Sequence, residues 1–463
     1  MFKFSCRVAA LFACAHVHAA TCTWTGNGVD GKWSRAANWD TCVGVRTVPI
    51  NTDTLIFPDG AARKTNTNDL VALQLSAMQL NGLNYDIDGN AITLSLGISV
   101  NTPLGLFSDF GPRFRPGITL SNTQTFTCAA GKFLYLDGAL NLNGKQLAID
   151  GPCNTALRGA ISGDGQLTKF GTGSLYMQTG PYSYTGPTEI NAGTIYAGSD
   201  SGLGATDGLS FTTVQDNGTL ALYLGVTIGE PIYLGGGTLE NFIGDNTITG
   251  FVSFNLSGTV DVAAGTTLTL AGQVVGLNMT KAGAGTLVLA NTTGVDSVIS
   301  AGTVEVDATT GAVTVDSGGT LAGDGALTDA AQLLGGGTIA PGRSATPGTL
   351  AGTSLLWYGD SAFRMRLGTK SDRLTLGNAL TKVGSGAYEF KFRDGATPPV
   401  VGSTYTLIEY SSQGGFGSNN LSFSYVGTGP GTNLTGFFTV SSTSITFTVV
   451  TVTSDLIFRD GME

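Results

Sequence analysis

The residues able to do chemistry in this chain are carboxylates and a small set of cysteines; histidine is almost missing. His16 and His18 are the only two among 463 residues. Both fall within an N-terminal stretch that reads as an export leader. There Lys3 and Arg7 supply a short positive region, Val8–Val17 an apolar run, and Val17-His18-Ala19 a small-residue cleavage site. The cut is expected after Ala19, with Ala20 as the alternative. The run is too short for a membrane-spanning helix, which needs about 20 apolar residues. Leu11-Phe12-Ala13-Cys14 loosely follows a lipobox, but Phe12 is bulky for that position. Without the leader no histidine remains. Ser-His-Asp and Cys-His catalysis, histidine bases and histidine-held zinc or haem are then excluded.

The mature chain keeps Cys22, Cys42, Cys128 and Cys153. An even count in an exported protein reads as two disulfides, with free buried thiols as the alternative. Of three pairings, Cys22–Cys42 and Cys128–Cys153 close the short loops that chain entropy favours. Carboxylates alone can run glycoside chemistry, so each acidic motif was weighed. Asn51-Thr52-Asp53 matches a triplet found in polygalacturonases, yet no adjacent Asp-Asp pair accompanies it, and Asp53 more simply opens a strand. Asp86-x-Asp88-Gly89-Asn90 has the oxygen content of a calcium loop but neither the EF-hand register nor its downstream Glu, and reads as a turn. Gly163-Asp164-Gly165 and Gly323-Asp324-Gly325 lack a tandem nonapeptide. No catalytic, cofactor or metal residue is therefore assigned. Trp24, Trp33 and Trp39 sit within the Cys22–Cys42 loop; exposed they would stack on sugars, and buried they would cap a core, which is the expectation. Tyr176, Tyr182, Tyr184 and Tyr196 could form a recognition stripe but are expected to pack corners.

The elements that must position these groups are strands. Gly is 69 of 463 residues, charged residues are only 12%, and hydrophobic residues still make up 41%. That combination suits many short strands joined by tight turns. Runs such as Thr267–Ala271 and Thr286–Ala290 alternate Thr with apolar residues, and Asn-Gly or Asp-Gly pairs separate such runs. With the leader removed, 33 acidic residues face 21 basic ones. This argues against nucleic acid, whose phosphates need clustered Lys and Arg.

An internal repeat sharpens the picture. Leu167–Met177 (LTKFGTGSLYM) returns as Met279–Leu289 (MTKAGAGTLVL), and Ile190–Gly198 (INAGTIYAG) returns as Ile299–Asp307 (ISAGTVEVD). Gly-Thr-apolar strand starts recur at Gly319, Gly337 and Gly348. A recurrence in one direction, at roughly 22 residues per coil, predicts an all-β fold. Its form is a parallel β-helix with stacked inward Leu, Ile and Val, about 20 coils and 90–100 Å of rod.

Thr168, Lys169, Gly171, Gly173, Thr185, Gly186 and Gly193, with Thr280, Lys281, Gly283, Gly285 and Gly302 in the second copy, carry a strong resemblance. They resemble the autotransporter-associated β-strand repeat. Gly336–Gly348 and Ser371-Asp372-Arg373-Leu374 look like segments that accompany it, and the Trp24, Trp33 and Trp39 region looks like the opening of passenger-like proteins. The resemblance implies a right-handed parallel β-helix exported from a Gram-negative bacterium to the outer-membrane surface or the medium. It also implies a role in adhesion or structural display toward host-cell, glycan or bacterial-surface ligands. No transmembrane segment is expected in the mature chain. The roughly 120 residues after Pro341 are too few for the twelve-strand barrel of such proteins. Asp455–Glu463 instead resembles a short sorting tail.

The expected organisation is a leader (1–19), a Trp/Cys-rich cap (20–66), a parallel β-helix (67–350) with repeats at about 165–198 and 279–307, a β-rich region continuing or capping it (351–453) and the tail (454–463). The functional expectation is a non-enzymatic adhesin-like or display protein. The alternative is a β-helix carbohydrate-active enzyme, a polysaccharide lyase or glycoside hydrolase. What separates them is whether a concave patch gathers two or more carboxylates with an Arg or Lys.

Overall fold

The computed structural model describes residues 19–40, 42, 47–101, 111–131, 133–206, 210–427 and 433–453. The expected leader up to residue 18, with His16, His18 and the lipobox-like Cys14, lies outside these residues, as does the tail 454–463. Within them the chain is a β-solenoid. One ladder of parallel strands runs without interruption from Thr65–Asn68 to Ser412–Gly414 through seventeen strands. Its sixteen steps average about 22 residues each. At about 4.8 Å per step the ladder is roughly 77 Å long. The ladder falls short of the twenty coils and 90–100 Å expected: before it Thr21–Thr23 and Thr54–Phe57 add parallel rungs of another row, and after it the chain ends in an antiparallel hairpin.

The stacking follows from period-two alternation. In the ten-stranded sheet that ends with Leu421–Tyr425, Leu268, Leu287, Val304, Leu321, Ile339, Phe363 and Phe390 lie in register and are all buried. Each contributes one rung to a continuous core, worth about 1.5–3 kcal/mol per fully buried side chain. The outward neighbours Thr267, Thr286, Thr303, Thr320 and Thr338 form a parallel row on the solvent face. β-Branched Thr favours the extended backbone there.

Both ends depart from this pattern. At the N-terminal end the indoles of Trp24, Trp33 and Trp39 are buried against Phe57, with Trp24 and Trp39 edge-to-face at 5.0 Å. At the C-terminal end Thr404–Glu409 pairs antiparallel with Ser444–Thr453, which pairs antiparallel with Asn433–Val440. The rings of Phe392, Phe423, Phe438 and Phe447 pack together beneath that hairpin. Helix is confined, among the described residues, to the single turns Ala36–Asn38 and Ser418–Asn420. None of the described helices is long and apolar enough to cross a membrane.

Candidate functional site

The lysines of the repeat turn inward. Lys169 and Lys281 are 1% and 0% exposed. Lys169 Nζ donates to the carbonyls of Phe170, Gly171 (2.8 Å) and, one coil on, Ala192 (3.4 Å). Lys281 Nζ does the same with Ala282 (2.6 Å), Gly283 (2.8 Å) and Ala301 (3.3 Å). Burial pushes both ammonium groups down to about 8, opposed by the nearby Asp150 and Asp261 carboxylates. The turn needs glycine: Gly171 and Gly283 have φ of +65° and +69°, and a Cβ on Gly171 would sit 2.4 Å from Gly151 N. Thr168 is buried and accepts from Gln146 Nε2 at 2.8 Å. Thr185 N donates to Gly163 O in the preceding coil. Gly173, Gly186, Gly193, Gly285 and Gly302 all lie where a Cβ would meet a neighbouring coil's backbone. Thr280 sits beside Lys281 on the strand Asn278–Ala282. The signature residues thus build a coil corner and offer little to a ligand.

The other sequence candidates are likewise occupied. Cys22 is bonded to Cys42 and Cys128 to Cys153. Asp53 is fully buried and accepts from Ala20 N and Ile50 N, so no substrate reaches it. It groups with Cys22 and Cys42 as a conceivable metal set, but the disulfide removes both thiolates. Asp86 holds Arg115 in a two-point ion pair, and Asp88 accepts from the Gly89 N–H of its own turn. The three indole N–H groups donate to Arg63 O, Asn66 Oδ1 and Trp33 O. With their faces covered as well, these rings have nothing left for a sugar.

The tyrosines divide. Tyr182 and Tyr184 are buried, with hydroxyls bonded to Leu157 O and Thr188. Tyr176 and Tyr196 depart from the corner packing expected: they stand on the outer face and stack at 4.9 Å. Phe133 extends the stack to Tyr135 (4.9 Å), and Arg158 lies over the Tyr135 ring. Tyr176 and Tyr196 are ladder partners stacked along the rod axis and cover one another's faces. They stiffen the rod more than they offer a platform for a sugar ring, which needs an open face.

Phe133, Tyr135 and Tyr176 line a hollow of about 260 Å³ with Arg158, and a second concave site lies on the ten-stranded sheet. In one outward row Glu305, Ala322 and Ala340 are successive partners, and Arg364 takes the next place. The two alanines floor a trough of about 320 Å³, with Thr286 and Thr303 along one side and Gly342, Arg343 and Ser344 along the other. Glu305 to Arg364 spans three strand spacings, about 14 Å. Arg343 bridges Asp307 and Asp324, 3.2 Å from each. Burial, then Asp307, pushes Glu305 above the usual carboxylate range; Asp307 is raised by burial while Arg343 pulls it back. At the far end, burial and then Arg366 lower Arg393 to about 10. Arg364 Nε and Arg393 Nε are buried atoms with no hydrogen-bond acceptor among the described residues.

Two segments singled out in the sequence build this wall. Asp372, fully buried, accepts from Gly348 N and from both Arg366 N and Arg366 Nε. Arg366 in turn donates to Arg343 O and Thr346 O. The Ser371–Leu374 stretch therefore pins the loop after Pro341 at the mouth of the trough. Sequence reading missed Glu305, Arg343, Arg364 and Arg393 as a set because they come from different coils. Only the repeat period, carried forward strand by strand, could have aligned them.

Comparison with known proteins supports the repeat reading. The family described as the passenger-associated-transport-repeat matches residues 167–197 and 279–306. The two segments hold both buried lysines and the strands around them. The chain is also similar to the adhesin BmaC autotransporter of Brucella suis biovar 1 (strain 1330), with 37% identity over 131 residues. That stretch covers 28% of this chain and 3% of the adhesin.

Proposed function

We propose, from the premise that this solenoid carries two passenger-associated transport repeats and shares a stretch with an autotransporter adhesin, that it is an exported, surface-displayed and non-enzymatic adhesin-like rod. Its ligand site is the trough between Glu305 and Arg364, and its ligand is a saccharide bearing a carboxylate. The observation that carries this reading is that Arg364 Nε and Arg393 Nε, beside an alanine floor, have no acceptor among the described residues, although Arg393 Nη2 lies 3.6 Å from Asp372 Oδ2. Guanidinium forks suit carboxylates geometrically, and the Thr286 and Thr303 hydroxyls and Glu305 suit sugar hydroxyls. Surface plasmon resonance on immobilised uronate- or sialate-bearing oligosaccharides tests it. Saturable binding to the acidic set is expected, weakened about tenfold in Arg364→Ala, the scale of one charge-assisted bond. Equal binding to neutral sugars, or an unchanged Arg364→Ala variant, removes the trough from consideration.

A second reading rests on one specific observation: Arg343, in the trough, draws two further carboxylates close to Glu305. Glu305 lines the trough beside Arg343, and Asp307 and Asp324 pair with Arg343 just outside that lining. Arg343 engages both aspartates as a counterion, which leaves Glu305, its acid form favoured by burial, as the one group suited to general acid work. A lone acid without a free second carboxylate falls short of the pair that glycoside hydrolysis uses, so binding is preferred. Product release from uronate polymers that disappears in Glu305→Gln would reverse that preference.

A further inference from the structure

The first described residues meet a buried carboxylate where the leader is expected to end. Ala19 is exposed, Ala20 is buried, and the strand Thr21–Thr23 follows at once. Ala20 N lies 2.9 Å from Asp53 Oδ1, while Ile50 N lies 2.9 Å from Asp53 Oδ2. Cys22 Sγ is 3.5 Å from that second oxygen and is bonded to Cys42. Ala20 O accepts from Thr54 N at 2.8 Å, which fixes the residue's carbonyl side as firmly as its nitrogen.

We infer that removal of the leader completes the N-terminal cap: cleavage between Ala19 and Ala20 frees an α-ammonium group that forms an internal ion pair with Asp53 and locks the Cys22–Cys42 cap. This rests on the export reading and goes beyond it, since it assigns one of two candidate cleavage bonds and gives the new terminus a structural task. In the hydrolysis, catalysed by a leader-removing endopeptidase, water supplies a hydroxyl to the Ala19 carbonyl carbon. The C–N bond breaks, the Ala20 nitrogen keeps the electron pair, and it becomes an ammonium by taking the remaining proton of that water and the proton that the new Ala19 carboxyl group releases. Before the cut, that nitrogen is an amide with one N–H for Asp53. After it, three N–H groups and a positive charge stand at the same point, and charge assistance strengthens the contact. Cleavage after Ala20 would remove the nitrogen altogether and leave Thr21 to start the chain one residue away from the carboxylate.

The test begins with the full chain exported from a Gram-negative host under its own leader. Intact-mass measurement is expected to place the mature start at Ala20. A start elsewhere overturns the inference while export still stands; failure to export or to be cut overturns the export reading with it. Two full-length mature chains are then prepared from cleavable fusions, one beginning at Ala20 and the other retaining Ala19. Reduction of Cys22–Cys42 by a small thiol is followed by peptide mapping, with Cys128–Cys153 in the same molecule as the reference. Cap reduction is expected to be about tenfold faster in the extended chain, because the cap opens more often without the charged contact. The Asp53→Asn variant should abolish that difference. Equal reduction rates for the two native-sequence chains overturn the ion pair without recourse to any variant.

Discussion

At the scale of single residues, the buried lysines are the least ordinary feature. Lysine is almost never fully buried unless its ammonium is satisfied, and here three carbonyls do that work in each repeat. Lys169→Met should lower stability by about 1–3 kcal/mol, since it leaves carbonyls facing a thioether. Burial lowers each lysine from an ordinary 10.5 to about 8. Between those values the unfolded chain binds protons that the folded one does not, so native stability rises with pH. The gap between the parent and Lys169→Met should therefore widen from pH 8 to 10, read as urea midpoints. A narrowing gap would mean that the charged form is preferred inside. Nothing in the letters Thr-Lys announced burial; only the return of the same pair in the same Gly-rich frame hinted at a structural task. The cysteines were easier to read. Short loops favour the pairing that the structure has, and each bond is worth ~3 kcal/mol by loop entropy. Non-reducing peptide mapping should recover Cys22 with Cys42 and Cys128 with Cys153; crossed pairs would contradict it.

At the scale of elements, a strand's value is set by the rung above and the rung below. Leu287 lies between Leu268 and Val304 and is fully buried. Leu287→Asp would place a charge with no partner in that ladder, at a cost of about 3–5 kcal/mol. Leu287→Ala should cost ~2–5 kcal/mol. Chemical denaturation checks both, and a parent-like Asp variant would refute the inward register. That register was legible, because Gly-Thr-apolar starts mark both the turn and the face of each strand. The trough was not. Its floor is Ala322 and Ala340, residues too small to signal anything, and its charges lie on separate coils. Coil number was overcounted for a related reason. Segment 404–409 still stacks in parallel on Arg373–Leu376, but segments 433–440 and 444–453, strand-like in composition, pair as an antiparallel hairpin, and the indoles of the Trp-rich start close the other end. Filling the floor with Ala340→Trp should abolish the proposed saccharide binding and cost about 1–3 kcal/mol by overpacking, since Ala340 is only 1% exposed; retained binding in the folded variant would move the site elsewhere.

At the scale of the whole molecule, parallel coils make a rod whose backbone hydrogen bonds run along its own axis. Small-angle scattering of the mature protein should show a particle far longer than it is wide, with the main ladder contributing about 77 Å; a near-spherical profile would be incompatible. The same arrangement has a mechanical consequence for a rod held at one end and pulled at the other. Tension along the axis loads one interface between coils after another in series, so rupture proceeds coil by coil, as a zip does. Each released coil of about 22 residues pays out roughly 70 Å of extended chain. The ammonium of Lys169, joined to the carbonyl of Ala192 in the next coil, rivets one such interface, and Lys281 with Ala301 rivets another. A pulled rod should hesitate at those two places, retaining a folded remnant there while the plainer coils between and beyond them give way.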